Sequence, residues 1–403
     1  TWQTRIDTLA ALSENLEHLT RPSFTPAMRM ANHIVGGWMR AAGMTVREDA
    51  VSNLIGRYEG QTPDAKTLII GSHLDTVRNA GHYDGMLGVL LGLACVEELA
   101  HTGQRLPFAI EVIAFCDEEG LRFHLPYIGS RAIVGQLTED DLEYADEQGI
   151  TLAQALMAYG SELTALSSVP KQPHDLMGYL EVHIEQGPVL EAAGLPVGIV
   201  SGIAGQNRLE VEFLGEAGHA GTVPMAMRLD ALVAASRFVV AVQEHARRTE
   251  GLVATVGQIS ALPGASNAVP GHTIISLDVR HLDDALREAA VADLYAQALA
   301  IASNEHVELH WRLVAASTSV HCAPAMIELL TQAVQQTGIE PKLLSTGAGH
   351  DAVMLSHLTP VGMLFVRCRR GISHNPAEYT SPADAETAAD VLLAALNLLA
   401  KNQ

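Results

Sequence analysis

The sequence has few cysteines, and their positions exclude the usual roles of clustered thiols. The four cysteines of the 403-residue chain lie far apart: Cys95, Cys116, Cys322 and Cys368. They form no CxxC pair and no other ligand spacing, which argues against a disulfide framework and against a cysteine zinc site. We therefore expect reduced thiols that serve packing.

Long apolar runs are also missing. The longest run, GMLGVLLGLACV at residues 85–96, has 12 residues, which is short of the ~20 needed to span a bilayer. The first residues, TWQTRIDTLAALSENLEHL, carry acidic side chains and helical periodicity, unlike the basic start and uninterrupted apolar segment of a signal peptide. We expect a cytoplasmic protein without a membrane partner.

Basic residues are scarce relative to acidic ones. With 25 Lys and Arg against 46 Asp and Glu, the formal charge is 25 − 46 = −21. Such a charge repels nucleic acid and anionic membranes, so neither is expected as a partner. If the substrate is an anion, arginines or metal ions must invert the local field.

The order of predicted elements indicates an α/β protein with an insertion. Strand-like TLIIGS, helix-like DGMLGVLLGLACVEELA and strand-like FAIEVIAFC alternate in the first half. From residue 207 the pattern becomes β-α-β-β-α-β over about 110 residues, with LVATVGQIS as one strand. The α/β pattern then resumes. We predict a layered catalytic domain, residues 1–206 and 319–403, with helices around a mixed sheet, and an inserted α+β domain at 207–318.

Ligand-type side chains interrupt these strands in five loops: SHLDT, GHYDGMLG, CDEEG, EVHIEQG and GISHNP. His73 ends one predicted strand, and alternation with period two places Asp75 on the same side, where it can orient the His73 ring. His-x-Asp alone is a weak signal. Asp84 stands at the start of a helix, where it could bind a metal or cap free amide groups.

Glu118 and Glu119 follow a strand that should be buried. Two adjacent carboxylates there are costly unless a cation or a shared proton compensates. Neighbouring side chains of an extended segment point in different directions, so Glu119 can bind a metal while Glu118 faces substrate and water. A divalent ion lowers the pKa of a coordinated water toward ~7, and a neighbouring carboxylate can take its proton.

His183 and His374 complete a ligand set with His73, Asp84 and Glu119. The economical arrangement has Asp84 bridging two ions about 3.5 to 4 Å apart, as in two-metal hydrolases. The chain contains 18 histidines, so a single one means little. The joint pattern at several loops is what predicts the site.

The motifs GSHLDT, YDG, DEEG, HIEQGPVLE, GHAGTVPM and GISHNPAE resemble those of the M20 family of dinuclear metallopeptidases and amidohydrolases. The resemblance runs in order through almost the whole chain and is closest to the branch that hydrolyses ureido compounds. It implies that Asp84 bridges two divalent ions, most readily manganese, with zinc or cobalt possible. The other implied ligands are His73, Glu119, His183 and His374. Glu118 is implied as the general base.

The resemblance also implies that the inserted domain acts as a lid, supplies substrate contacts and forms a homodimer. The matching substrate residues are Arg208, Asn267 and Arg280, and an arginine fork suits a planar carboxylate. His219 matches a residue that reaches the partner subunit's active site and stabilises an oxyanion, although by itself it reads as a loop histidine. Gln186, Gln206 and His350 lie in matched motifs as pocket residues without assigned roles.

Within the ureido branch, the segments GIAGQNRLEVEFLGEAGHAGTVPMAMR, GAGHDA and VGMLFVRCRRGISHNPAE look most like those of allantoate amidohydrolases. This resemblance predicts hydrolysis of the ureido group of allantoate to ureidoglycine, ammonia and carbon dioxide. The main alternative is an N-carbamoyl-L-amino acid amidohydrolase, or a β-ureidopropionase-like activity, with the same mechanism. The second alternative is a catalytically silent metal- or ligand-binding protein. Glu118 beside a complete ligand set argues against it, because binding alone needs no base. A peptidase is the third alternative, and HIEQGPVLE and GAGHDA favour the ureido branch over it.

Overall fold

The structure, a computed structural model, describes residues 2–402. This part of the chain divides into two compact units: one contains the residues up to Ser201 and from Cys322 onward, and the other is Gly202–His321. The sequence placed the boundaries after residues 206 and 318, and residues 1 and 403 of the predicted limits lie outside the described part. Within residues 2–402, no helix is both long enough and apolar enough to cross a membrane.

Helices and strands alternate through most of the chain. The helices are α1 Trp2–Ala10, α2 Pro26–Ala41, α3 Met86–His101, α4 Ile128–Ile133, α5 Leu152–Tyr159, α6 Val189–Ala193, α7 Ala231–Arg248, α8 Asp284–Asn304, α9 Pro324–Gln336, α10 Ala352–Leu355 and α11 Pro382–Lys401. The strands are β1 Thr45–Glu48, β2 Leu54–Tyr58, β3 Thr67–His73, β4 Ala109–Phe115, β5 Leu176–Ile184, β6 Val197–Ile203, β7 Gly205–Leu214, β8 Gly218–His219, β9 Val253–Thr255, β10 Ile259–Leu262, β11 Ala268–Val269, β12 His272–His281, β13 Glu308–Ser317, β14 Val320–His321, β15 Leu343–Thr346 and β16 Val361–Val366.

The larger sheet is mixed, as predicted. Its strand order is β1-β2-β4-β3-β5-β16-β6-β14, and β15 also pairs with β6. Strands β4, β3, β5 and β16 are parallel to one another, whereas β2 and β6 run antiparallel to their neighbours β4 and β16. Parallel neighbours end at the same edge of a sheet, where open α/β sheets place their ligands.

Burial explains the composition of the central elements in the first unit. Every residue of β3 and β4 is buried, and strands covered on both faces have continuous apolar runs. Helix α3 contacts β3, β4 and β5 as well as α1 and α11, so it is apolar on most of its circumference. The longest apolar run of the sequence is therefore a core helix.

The second unit packs α7 and α8 on one face of a smaller sheet with the order β10-β12-β7-β13. Along β12, Ile275, Leu277 and Val279 are buried in this core, and the residues between them are not. The predicted single strand LVATVGQIS is wrong in one respect, because it forms two strands, β9 and β10, that both pair with β12. Residues 256–258 bulge between them opposite 276–277, which interrupts the ladder.

Candidate active site

Polar side chains gather where the parallel strands of the first unit end. His73 is the last residue of β3, His183 lies next to the last residue of β5, and the turn after β4 carries Glu118 and Glu119. The loop after β16 carries His374, and Asp84 lies between β3 and α3. The structure thus brings together every metal ligand predicted from the sequence, at the edge expected from parallel strands.

One group of ligand atoms consists of His73, Asp84 and His183. Oδ1 of Asp84 lies 3.0 Å from Nε2 of His183 and 3.5 Å from Nε2 of His73. Nδ1 of each imidazole donates to a backbone carbonyl, that of Asp75 for His73 and that of Ile184 for His183, both at 2.9 Å. Because Nδ1 is engaged in this way, Nε2 of each ring faces Asp84 and is the nitrogen that would bind a metal after losing its proton.

A second group uses the other oxygen of the same aspartate. Oδ2 of Asp84 lies 3.3 Å from Nε2 of His374, which in turn lies 3.5 Å from Oε1 of Glu119. Within each group the ligand atoms lie within 4.8 Å of one another. Imidazole and carboxylate donors in this arrangement fit two divalent cations that share Asp84.

The surroundings of Asp84 decide between its two possible roles. Helix α3 begins at Met86 with Gly85 as its N-cap, so Asp84 precedes the cap and points its carboxylate at histidines. Gly85 has a φ of +66°, and a Cβ there would lie 2.5 Å from Nε2 of His73. Although burial opposes ionisation, His183, His374 and His73 hold the pKa of the Asp84 carboxyl well below its usual value.

Glu118 lies beside the first group. Its Oε2 is 3.8 Å from Nε2 of His73, and it forms a further cluster of possible ligands with His73 and Glu119. Burial raises the pKa of Glu118 well above its usual value, and the charge of Glu119 adds to this, although His73 opposes it. Burial, reinforced by Asp84, raises the pKa of Glu119 to about 7. These carboxyls are poised to exchange a proton or to bind a cation.

Asp75 does something that the sequence did not predict. Its carboxylate is 3.7 Å from Nδ1 of His73, while its backbone carbonyl accepts the hydrogen bond from that ring. Strand β3 ends at His73, so the alternation on which the prediction rested stops there. The Asp75 carboxylate instead accepts the amide hydrogens of Glu118 at 3.2 Å and Glu119 at 3.1 Å. Asp75 therefore holds the turn that carries both glutamates.

Two predicted pocket residues also lie near the ligands. Gln186 donates through Nε2 to Oδ2 of Asp84 at 2.8 Å. The ring of His350 packs edge-on against that of His183, with centroids 4.5 Å apart. Burial and the neighbouring His183 lower the pKa of His350 well below its usual value, so it packs there as a neutral ring.

The predicted carboxylate-binding arginines lie in the second unit, on the sheet face opposite α7 and α8. Arg280 donates to Asp278 through Nε at 2.7 Å and through Nη2 at 2.9 Å. Nε of Arg208 lies 3.4 Å from the same carboxylate, across the β7–β12 pair. The structure thus brings both arginines to one acidic residue, Asp278, which the sequence analysis did not single out.

The other predicted residues of the second unit occupy neighbouring positions in pairs. Gln206 lies opposite Arg280 in the register of β7 and β12. His219, in β8, pairs with Ala268 in β11, and the backbone carbonyl of Asn267 accepts the amide hydrogen of Ala220 at 2.8 Å. His219 and Asn267 therefore lie on adjoining backbone segments.

Sequence reasoning missed two further residues near Asp84. Oγ of Ser373 is 2.7 Å from Oδ2 of Asp84 and 3.0 Å from Oε2 of Glu378. Both residues lie in the motif GISHNPAE, so this motif already pointed to them as candidate site residues. Their contacts with Asp84 arise only from folding.

Residues 69–398 match the model of peptidase family M20/M25/M40. The chain belongs to this family. Among its M20 relatives, an N-carbamoyl-L-amino acid amidohydrolase of Geobacillus stearothermophilus is 42% identical over 374 residues, covering 93% of this chain and 91% of the relative. An allantoate deiminase of Arabidopsis thaliana is 38% identical over 420 residues, covering 96% and 80%.

The fold of this chain also matches that of a solved structure. A hydantoinase/carbamoylase family amidase from Burkholderia multivorans superposes with a TM-score of 0.93 at 32% identity, covering 98% of this chain and 96% of that one. The predicted family, the α/β fold and the expectation of a hydrolase acting on C–N bonds are confirmed. The relatives carry both N-carbamoyl and allantoate names, so the chain is an amidohydrolase of the group that includes both activities.

Proposed function

We propose that the chain is a dinuclear-metal amidohydrolase that hydrolyses the terminal ureido group of allantoate, giving ureidoglycine, ammonia and carbon dioxide. The observation that carries the proposal is the arrangement of Asp84, which directs Oδ1 at His73 and His183 and Oδ2 at His374. Glu118 adjoins this arrangement. A protein that only binds a metal or a ligand has no need of such a base.

The proposed ions are held by the two groups that share Asp84. His73 and His183 would hold one ion with Asp84, and Glu119 and His374 would hold the other. When bound, divalent ions lower the pKa of a water and polarise the carbonyl oxygen of the ureido group. Manganese is the ion that we propose, because of the resemblance to allantoate amidohydrolases, and the same imidazole and carboxylate donors also suit zinc or cobalt.

The protein residues then move one proton through the reaction. Glu118 takes a proton from the attacking water as the water oxygen bonds to the ureido carbon. As the C–N bond to the ureidoglycine nitrogen breaks, Glu118 returns this proton to that leaving nitrogen, and the released carbamic acid breaks down to ammonia and carbon dioxide. Asp75 keeps Glu118 in place through its amide hydrogen. In the proposed homodimer, His219 donates a hydrogen bond to the developing oxyanion of the neighbouring subunit.

The proposed substrate contacts are polar, which favours allantoate. Arg208 and Arg280 offer guanidinium forks for the carboxylate. Gln206 and Asn267 add amide groups that can both donate to and accept from a second ureido arm. Two arginines and two divalent ions let a chain with a formal charge of −21 hold an anion.

The second candidate is hydrolysis of N-carbamoyl-L-amino acids. The 42% identity to the Geobacillus stearothermophilus enzyme favours it. The ureido group and the carboxylate are common to both substrate classes, so the metal ligands and Glu118 would act in the same way. Only the second arm differs, because an amino-acid side chain is often apolar where allantoate has another ureido group.

The deciding experiment measures ammonia release by manganese-reconstituted protein from allantoate and from a series of N-carbamoyl-L-amino acids. A dipeptide is tested in parallel by release of free amino groups. A much higher kcat/KM for allantoate than for the carbamoyl compounds is expected. The reverse ranking would replace the substrate and keep the mechanism, and inactivity on all three would contradict the proposal.

A further inference from the structure

Glu378 joins the loop that carries Asp84 to the loop that carries His374. Its Oε1 accepts the amide hydrogens of Tyr83 at 2.8 Å and Asp84 at 3.0 Å. Oγ of Ser373 lies 3.0 Å from its Oε2. The side chain is 5% exposed. A buried carboxylate thus connects the two ligand loops, and Glu378 and Asp84 are 294 residues apart in the sequence.

The contact is built tightly into the fold. A Cβ added at Gly81 would overlap Cβ, Cδ and Oε1 of Glu378, so the Gly81–Asp84 segment closes directly over this carboxylate. Oγ of Ser373 also lies 2.7 Å from Oδ2 of Asp84. A serine hydroxyl has one hydrogen to donate, so Ser373 can donate to only one of the two carboxylates at a time and links the surroundings of Asp84 to those of Glu378.

The two ligand groups differ in how much they depend on this connection. His73 and His183 lie on β3 and β5, which are hydrogen-bonded to each other within the sheet. His374 lies in a loop beyond the end of β16. Main-chain hydrogen bonds of the sheet therefore hold the histidines of the first group in position. His374 of the second group lies in a loop, so other contacts must hold this loop close to Asp84.

We propose that Glu378 is the positioning residue that assembles the Asp84, Glu119 and His374 group. It holds the backbone amides of Tyr83 and Asp84 and contacts Ser373, the residue before His374, without being a ligand itself. The inference rests on the proposed dinuclear function, because it concerns the second of the two ions. Outer partners of metal ligands commonly change metal affinity by about 10–100-fold.

The test measures manganese binding by calorimetry and by equilibrium dialysis, starting from metal-free protein. Wild type is expected to bind two ions. Glu378→Ala is expected to bind one ion at least about tenfold more weakly and the other with a smaller loss, because Asp84 is shared but His73 and His183 stay supported by their strands. Glu378→Gln should recover the second ion, because its carbonyl oxygen can accept both amides while its NH₂ group faces Ser373.

Asp49 provides a matched control in the same unit. One of its carboxylate oxygens accepts the amides of Val51 and Asn53, both at 3.0 Å, and the other accepts Nδ2 of Asn53 at 2.8 Å. This is the same pattern of two backbone donors and one side-chain donor that Glu378 has. Asp49→Ala should therefore lose comparable hydrogen bonding and still bind two ions.

The outcomes separate the inference from the proposed function. Two ions of normal affinity in Glu378→Ala would overturn the inference alone, and so would equal loss of the second ion in Asp49→Ala. Fewer than two ions in wild type would overturn the proposed function together with the inference. If Glu378→Ala does not fold, Ser373→Ala breaks the same connection while sparing the amide contacts. Normal binding of both ions by that variant would contradict the inference.

Discussion

The candidate site residues of the two units differ in their exposure to water. In the first unit, His73, Asp84 and His183 are only 1%, 4% and 2% exposed. In the second unit, the side chains of Arg208 and Arg280 are 55% and 27% exposed. Buried charges need a compensating partner to be stable, whereas exposed arginines are stable in water and can exchange solvent for a ligand. The comparison teaches that the proposed ligands at the strand ends are buried, whereas His374, in a loop, is 48% exposed and the arginines proposed for recognition are partly accessible.

Support from the backbone differs in the same direction. The imidazoles of His73 and His183 are oriented by main-chain carbonyls next to strand ends. The arginines of the second unit are held by the side chain of Asp278. We expect changes in the first unit to abolish turnover, and changes in the second to alter substrate affinity.

Removal of the metal should have the largest effect. A chelator is expected to reduce hydrolysis to background and to lower the unfolding temperature of the first unit while leaving that of the second unchanged. The reason is that bound ions stabilise only the unit that holds them, by roughly 2.7 kcal/mol for each ion at a hundred times its Kd. Differential scanning calorimetry with and without manganese measures both transitions. Equal shifts in the two units would break the comparison.

Glu118→Gln should come next. The amide keeps the size of the side chain but cannot take a proton, so kcat is expected to fall by about 10³-fold or more. Manganese content and KM should stay near their wild-type values. Steady-state kinetics together with metal analysis test this, and a near-normal kcat would exclude Glu118 as the general base.

Arg208→Ala and Arg280→Ala should change KM more than kcat. Loss of a charge-assisted hydrogen bond is worth about 1.5–3 kcal/mol, so a rise in KM of roughly 10–100-fold is expected for a carboxylate substrate. Arg237, on α7, is a matched control. Its side chain is 62% exposed, and its Nε lies 2.8 Å from Oε1 of Glu305. Arg237→Ala should leave both constants unchanged. A drop in kcat alone for the first two variants would contradict a recognition role.

Asp278→Asn should give the smallest effect, and in the opposite direction. If Arg208 and Arg280 bind the substrate carboxylate as proposed, Asp278 competes with that carboxylate for both guanidinium groups. An exposed ion pair contributes about 0.2–1 kcal/mol, so KM is expected to fall by a few-fold at low salt, with kcat unchanged. A rise in KM would show that Asp278 orients the arginines more than it competes for them.

Much of the fold was predictable because its signals are local. Apolar strands alternating with helices indicated the α/β unit. The change to a β-α-β-β-α-β pattern indicated an inserted α+β domain. The predicted strand at LVATVGQIS failed in detail because the bulge at residues 256–258 depends on pairing with β12. The strand propensity of a segment does not show which strand it will pair with.

The ligand residues could be predicted for a related reason. His73, Glu119 and His183 each accompany the end of an apolar strand, and parallel strands bring those ends together. Asp75 and Glu378 could not be assigned in the same way. Asp75 acts through a carboxylate that turns to the amides of Glu118 and Glu119, and Glu378 contacts amides 294 and 295 residues away.

By itself, the sequence determined which chemical groups are available, in what order along the chain and on which kinds of elements. The tertiary structure decided which oxygen of Asp84 faces which histidine, which backbone groups orient the imidazoles, and that Asp278 lies between two arginines. The physical reason is that periodicity and propensity are properties of neighbouring residues. Hydrogen bonds and ion pairs between distant residues exist only after the chain has packed.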